Sequence, residues 1–275
     1  MVPEVTSSSS GEKIDVAIIE RNYQMSHDMI EIRVDTGHPE QITGALIETK
    51  IDGGRHEWNG SEIISERGIV RNARFPHLVD ELKALNFQGR GEVAVPFGNI
   101  HTLNKSENWP RARFYLFDMW NWQGKDTRGA EPFENRRLIE LADSQGKQMD
   151  LKNLRIPFKF KDFQTAWKWV IKHSLEGVVI KTKAKTFKCK YMKEEKLPIV
   201  GFEPGAVKGS FLIERAGVVG GCSALSVAYV QQYKDMLSAG KAPYAEIEYM
   251  FLTDSGKPFQ PRLRRMGTLA ELQVT

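Results

Sequence analysis

Apolar and polar positions change period along this chain, and the changes mark its elements. Short β-rich segments come first: Ile14-Asp15-Val16-Ala17-Ile18-Ile19, where order is expected to begin, then 29–34 and 45–51, with Gly-containing turns between them. Helical spacing appears in Leu78, Val79, Leu82 and Leu85, again in 136–142, and again in 163–173, where Asp162 stands in N-cap position. The small, polar run from Thr6 to Gly11 predicts a flexible tail over residues 1–12. After Leu197-Pro198-Ile199 the pattern becomes short strands around one helix, 229–239, stopped by Gly240. A hairpin is expected next: a strand at 245–252, a turn at Thr253-Asp254-Ser255-Gly256, and a return strand from Lys257.

These elements predict an α+β fold. A mixed body covers 13–197, and a small Greek-key barrel of the OB type covers 198–275. Apolar residues are 41% of the 275 and charged residues 27%, which excludes a disordered or fibrous chain. No window approaches the ~18 consecutive apolar residues of a membrane span. Residues 1–11 have neither the basic start nor the apolar block of a signal peptide. Two cysteines, Cys189 and Cys222, are too few for a disulfide framework, so a reducing, cytoplasmic setting is expected. The net charge of +4 does not choose a partner, but the placement of lysine is informative. The stretch KTKAKTFKCKYMKEEK (181–196) is lysine-dense, and Lys181, Lys183 and Lys185 alternate as on one strand face. Such a face is either a solvated edge protected by charge or a wall facing phosphates.

Four short segments carry candidate chemistry. In Glu48-Thr49-Lys50-Ile51-Asp52-Gly53-Gly54-Arg55, Asp-Gly-Gly predicts a hairpin between ALIETK and RHEWNG. It also sets a strand-end lysine beside a tight turn. A free lysine, with a pKa of about 10.4, is protonated at neutral pH. It becomes a nucleophile where nearby cations or burial disfavour its charged form. In Leu175-Glu176-Gly177-Val178-Val179-Ile180-Lys181 a carboxylate and a cation flank an apolar strand and are expected to point into one cleft. Phe187-Lys188-Cys189-Lys190 sets two same-face lysines after an aromatic, and Phe114-Tyr115-Leu116-Phe117-Asp118 is an aromatic strand ending in an acid.

In this order and spacing the four segments resemble the nucleotidyl motifs of the covalent nucleotidyltransferases: ATP-dependent DNA ligases, RNA ligases and mRNA capping enzymes. The resemblance spans residues 40–266. Ser65-Glu66-Arg67-Gly68 is similar to the S-R-G element, Gly91-Glu92-Val93 to the ribose-contacting strand, and Glu134-Asn135-Arg136-Arg137-Leu138-Ile139-Glu140 to the ligase ERR helix. Glu246-Ile247-Glu248-Tyr249 with Pro261-Arg262-Leu263-Arg264-Arg265 resembles the closing strands of minimal bacteriophage and bacterial DNA ligases.

The resemblance implies that Lys50 attacks the α-phosphate of ATP to give a lysyl-AMP and expel pyrophosphate. It implies that Glu48 and Ile51 contact the nucleotide, Phe117 stacks on the base, and Arg55 and Glu92 hold the ribose, with Arg67 near a substrate phosphate. Glu176 and Glu92 would position magnesium, or manganese in its place. Lys181, Lys188 and Lys190 would neutralise the α-phosphate, and Arg262, Arg264 and Arg265 would orient the pyrophosphate. Positioning and charge stabilisation are what phosphoryl transfer demands. The implied partner is nicked double-stranded DNA, and the family default is a monomer. Two departures stand out. Arg264-Arg265-Met266-Gly267 lacks the usual Asp-Lys pair, and Lys181 and Lys188 are as close as in RNA ligases. RNA repair is therefore the alternative. The ERR-like helix argues against a capping enzyme, and the residues before 13 are too few for the extra N-terminal domain of NAD-dependent ligases.

Overall fold

The computed structural model describes residues 29–34, 37–205, 209–223 and 226–273. The expected tail (1–12) and the expected strand at 14–19 lie outside the described residues.

The body begins with β1 (Ile30–Glu31), β2 (Leu46–Lys50), β3 (Gly54–Trp58) and β4 (Ile63–Ser65). Then come α1 (Pro76–Lys83), β5 (Phe87–Ala94), α2 (Ile100–Leu103), β6 (Arg113–Trp122), β7 (Lys125–Asp126) and α3 (Pro132–Gln148). Finally β8 (Leu154–Arg155), β9 (Lys159–Phe160), α4 (Phe163–His173), β10 (Gly177–Lys181) and β11 (Thr186–Lys190) complete it. Two sheets result: a five-stranded one in the order β1-β11-β10-β2-β9, and a six-stranded one in the order β4-β3-β5-β6-β7 with β8 on β6.

Each sheet buries one face under helices. Leu78, Val79 and Leu82 of α1 and Ile139 and Ala142 of α3 pack with Trp58, Phe87, Phe114 and Leu116 against the six-stranded sheet. Phe163, Ala166 and Val170 of α4 pack with Ile47, Val178 and Ile180 against the other. The Asp162 carboxylate accepts from the Thr165 amide at 2.7 Å, so α4 begins where its cap predicts. With their outer faces covered, the inner faces of the two sheets are left to line a cleft.

The barrel consists of β12 (Lys193–Glu203), β13 (Ser210–Arg215), β14 (Val218–Ser223), β15 (Tyr244–Tyr249) and β16 (Arg262–Gly267). It closes in the order β12-β13-β14-β16-β15, with β12 pairing β15. α5 (Val227–Ser238) spans one end, capped by Ser226, and α6 (Leu269–Gln273) follows β16. Leu197, Phe211, Ile213, Ile247 and Leu263 fill the interior. β12 runs through Leu197-Pro198-Ile199 without a break.

Three expectations need correction. Asp52-Gly53 does not turn a hairpin: β2 pairs β10 and β9, whereas β3 pairs β4 and β5. The chain crosses from one sheet to the other there, because a Cβ on Gly53 would overlap the Val93 carbonyl and crowd Ala94; only glycine lets the crossing lie against β5. Lys183 and Lys185 belong to the β10–β11 turn rather than a strand face, and Lys183 pairs outward with Glu131 at 2.8 Å. Lys257 turns the chain as expected, accepting at its carbonyl from the Thr253 amide at 2.8 Å. The return strand itself waits until Arg262, after an isolated Leu252–Pro258 bridge.

Candidate active site

Strand register builds the site. Across β2, β10 and β11, Lys50 faces Gly177 and Gly177 faces Lys190; Glu48 faces Val179 and Val179 faces Lys188; Leu46 faces Lys181 and Lys181 faces Thr186. Opposed residues share a face, and residues two apart on a strand share it as well. Glu48, Lys50, Lys181, Lys188 and Lys190 therefore lie on one surface, turned toward the cleft. Lys181 and Lys50 stand at opposite ends of it, four β2 residues apart, or about 13 Å at the usual rise.

Glu48 occupies the Lys181 end. It is 1% exposed, and both carboxylate oxygens are engaged. Oε1 accepts from the Arg136 guanidinium at 2.6 Å, and Oε2 lies 2.7 Å from Lys181 Nζ. Arg136 is buried too and also donates to the Pro157 carbonyl and to Glu140, each at 2.9 Å. Lys181 Nζ donates to the Phe117 carbonyl at 2.7 Å and stands 5.6 Å from the Phe117 ring centroid. Lys181 thus sits beside Glu48 and Phe117, the residues expected at the base.

At the other end Lys50 Nζ donates to Glu176 Oε2 at 2.7 Å. Glu176 and Lys181 are five residues apart, an odd interval that a regular strand would send to opposite faces. Glu176 precedes the first paired residue, Gly177, whose φ of 156° swings it toward Lys50. Two more carboxylates crowd the same end. Burial pushes Glu92 up to about 8 against the pull of Lys50. Burial and the Glu176 carboxylate raise Asp52 to about 6, while the Ile100 amide donates to it at 3.0 Å. Burial lowers Lys190, opposed by Glu176. Buried carboxylates gathered in this way suit a hard divalent cation. Among the described residues no three His, Cys, Asp or Glu side chains form a full metal cage. Magnesium needs only one or two protein carboxylates because it keeps its waters, so Glu92 and Glu176 fit it.

A cavity of about 380 Å³ joins the two ends. It is lined by Glu48, Lys50, Ile51, Arg55, Glu92, Phe117 and Lys181, together with Arg136 of the ERR-like helix and with Arg90 and Trp120, which sequence reasoning did not single out. The Arg90 guanidinium stands 5.5 Å from the Trp120 ring centroid. Arg55 faces Glu92 across β3 and β5 and pairs with Glu66 at 3.4 Å. Four of the expected residues of the body lie outside this lining, as do the three barrel arginines. Glu176 is behind Lys50, and Lys190 is in the row beyond Gly177. Lys188 is 3.7 Å from Glu31, and Arg67 is exposed in the turn after β4.

The three barrel arginines separate. Arg262 reaches Glu31 at 3.0 Å and so stands near Lys188. Arg264 lies 3.4 Å from Glu248, and Arg265 pairs with Glu246 across β15 and β16. Only Arg262 is brought to the lysine-bearing sheet.

Two sheets that enclose a lysine-bearing cleft, followed by a closed five-stranded barrel, make an α+β body with an OB-type barrel. Among solved structures the chain is similar to a Lig E DNA ligase described as binding DNA with a minimal scaffold. The identity is 17% and the TM-score 0.62, over 87% of this chain and 99% of that one. It is also similar to Pmar-Lig_Pre, at 18% identity and a TM-score of 0.66 over 86% of this chain and 67% of that one. Pmar-Lig_PreS3 gives 18% and 0.63 over the same shares. No family model and no curated protein matches the chain. The likeness is one of fold: the chain carries the DNA-ligase fold.

Proposed function

We propose that the chain is an ATP-dependent DNA ligase that seals 5′-phosphate/3′-hydroxyl nicks in duplex DNA through a lysyl-AMP and a DNA-adenylate. The observation that carries this reading is the placement of Lys50. It ends β2 at one mouth of the cavity, 2.7 Å from Glu176, while Glu48 and Lys181 stand together at the far end. A carboxylate acceptor beside an ammonium donor matches the adenine edge, where an amino group adjoins a ring-nitrogen acceptor. Lys181 is therefore assigned to the base, and Phe117 supplies the ring on which it stacks.

With the base anchored there, the phosphates extend toward Lys50. Lys50 Nζ, having given up a proton, forms a bond to the α-phosphorus as the bond to pyrophosphate breaks. Lys188, Lys190 and Arg262 meet the charge that develops on phosphate oxygens. Glu92 and Glu176 would hold a divalent metal, which supplies further neutralisation of the phosphates. Arg55 and Glu92 hold the ribose. A nick 5′-phosphate oxygen then takes the AMP as the P–N bond breaks and Lys50 regains its proton. Attack by the 3′-hydroxyl on the 5′-phosphorus releases AMP and joins the strands. The chain divides into an adenylation unit (13–197) and an OB unit (198–275), with β12 continuous across the join. No helix among the described residues is long and apolar enough to cross a membrane. Two buried free thiols agree with a reducing, cytoplasmic setting, and a monomer is the family default.

The short Lys181–Lys188 interval reflects a tight β10–β11 turn closing on the Lys181–Thr186 pair, and the closed barrel favours DNA over RNA. The test incubates wild type and Lys50→Ala with α-labelled ATP and magnesium, then adds nicked duplexes whose 3′-hydroxyl strand is DNA or RNA. Wild type is expected to take up covalent label and seal the all-DNA nick, and Lys50→Ala to do neither. Label retained in Lys50→Ala overturns the assignment. Sealing confined to the RNA strand moves the enzyme to RNA repair.

A further inference from the structure

Strand β1 takes no part in the adenylation chemistry, yet it reaches the phosphate end of the site. It pairs in parallel with β11, which sets Glu31 opposite Lys188, and the Ile32 amide donates to the Lys188 carbonyl at 2.9 Å. Opposed residues share a face, so Glu31 extends the row of Glu48, Val179 and Lys188 on the surface turned toward the cleft. Its carboxylate touches both body and barrel. Oε1 accepts from the Arg262 guanidinium of the barrel at 3.0 Å, and Oε2 lies 3.7 Å from Lys188 Nζ of the body.

Burial works to raise the Glu31 carboxyl, but Arg262, Lys190 and Lys188 together bring it below the usual carboxylate range. These are the same three cations that meet the phosphates in the ligase reading. A carboxylate oxygen and a phosphate oxygen ask the same of an arginine or a lysine, a short charge-assisted hydrogen bond. A phosphate that draws Lys188 and Arg262 to itself therefore draws them from Glu31. The bridge is open to such an exchange, since Glu31 and Lys188 are partly exposed and Arg262 is half-exposed. A second contact of the same segment differs. Arg33 reaches Glu248 of the barrel at 2.9 Å, and neither of these two is set on a phosphate. That pair holds the barrel whether or not Glu31 is engaged.

We propose that Glu31 is an internal stand-in for phosphate, which holds Lys188 and Arg262 before the triphosphate arrives and takes them back as pyrophosphate leaves. The proposal rests on the ligase reading and adds to it a device that weakens the hold on the leaving group. Once pyrophosphate departs, three neighbouring cations would repel one another, and a resident carboxylate removes that repulsion. A bridge formed about nine-tenths of the time weakens the binding of a competing polyphosphate about tenfold. ATP keeps its contacts with Glu48, Lys181 and Phe117 at the base end, whereas pyrophosphate has only the phosphate end to hold it. Pyrophosphate is therefore released rather than retained to attack the lysyl-AMP.

The test titrates inorganic pyrophosphate with magnesium into wild type, Glu31→Gln and Glu31→Ala by calorimetry. Both variants are expected to bind it at least about five-fold tighter than wild type, because Arg33 and Glu248 keep Arg262 within reach. In an Arg262→Ala background most of that gain should vanish. Added to the preformed lysyl-AMP, a pyrophosphate oxygen attacks the α-phosphorus as the P–N bond breaks, Lys50 takes a proton and ATP leaves. Half-maximal return of label to ATP should need correspondingly less pyrophosphate in Glu31→Gln than in wild type. Pyrophosphate binding equal to or weaker than wild type in both variants, with AMP uptake preserved, makes Glu31 a plain tether of the barrel. That result overturns the proposal and leaves the ligase reading intact. A gain that survives undiminished in Arg262→Ala overturns it as well, since the carboxylate would then act without the arginine it holds. Wild type that takes up no AMP from ATP overturns both.

Discussion

Glu48 is held asymmetrically. Arg136 is 6% exposed at its side chain and is tied to a backbone carbonyl and a second carboxylate. Lys181 is 18% exposed and lines the cavity. An arriving base can draw Lys181 aside, but Arg136 stays, so Glu48 keeps its orientation with or without nucleotide. Arg136→Ala would leave a buried carboxylate short of its main partner, at a cost of about 3–5 kcal/mol. Urea denaturation measures that loss, and the ATP concentration that half-saturates AMP uptake should rise in step. Arg136→Lys, which keeps the charge, should recover part of both. Stability within about 0.5 kcal/mol of wild type in Arg136→Ala would show that Glu48 does not depend on it. Part of this was legible in the chain. Arg136 shares a helical stripe with Ile139, Ala142 and Gly146, and a charge on an apolar stripe asks for a buried partner. The partner lies 88 positions away, and no local pattern supplies that distance. The nearness of Lys181 to Glu48 was hidden for the same reason, since its row across the sheet follows from register rather than from spacing.

At the scale of elements, local signals served helices better than turns. α4 follows from its apolar positions and its Asp162 cap, both read within one short window. Asp-Gly-Gly is equally good chemistry for a hairpin and for a crossing between sheets. What decides is the close approach of Gly53 to β5, which is a tertiary fact. Gly177 works in the same way: a Cβ there would overlap the Cys189 carbonyl and crowd Lys190. Its bare position lets β10 lie close to β11 between Lys50 and Lys190. Gly177→Ala is therefore expected to push the two strands apart, weakening the fold by at least about 2 kcal/mol. It should also slow AMP uptake beyond what the loss of folded protein explains, because Glu176 is the next residue. Urea melts together with single-turnover labelling check this, and wild-type values in both would mean the strands adjust without cost.

On the scale of the molecule, the barrel is docked on the body mainly through polar contacts. Arg262 reaches Glu31 at 3.0 Å, Arg33 reaches Glu248 at 2.9 Å, Lys105 pairs with Asp254, and His101 touches Phe259. Ion pairs open to solvent contribute roughly 0–1 kcal/mol each and are screened over about 8 Å at physiological salt. A joint made of them is shallow and should yield to salt. Glu248 is its most buried member, 7% exposed at the side chain and shared by Arg33 and Arg264, so its loss should tell most. Small-angle scattering is expected to give a compact wild type at about 50 mM salt and a larger radius of gyration at about 500 mM. Glu248→Gln should be expanded already at the lower concentration, since two arginines then face each other without their shared carboxylate. Glu31→Gln should act in the same direction but less, because Glu31 lies nearer to water, 32% exposed at the side chain against 7% for Glu248. A radius that ignores both salt and Glu248→Gln would place the holding force in the apolar contact of Phe259 with His101. The barrel would then move with the body as one piece, and Arg262 would stay beside Lys188 throughout the reaction.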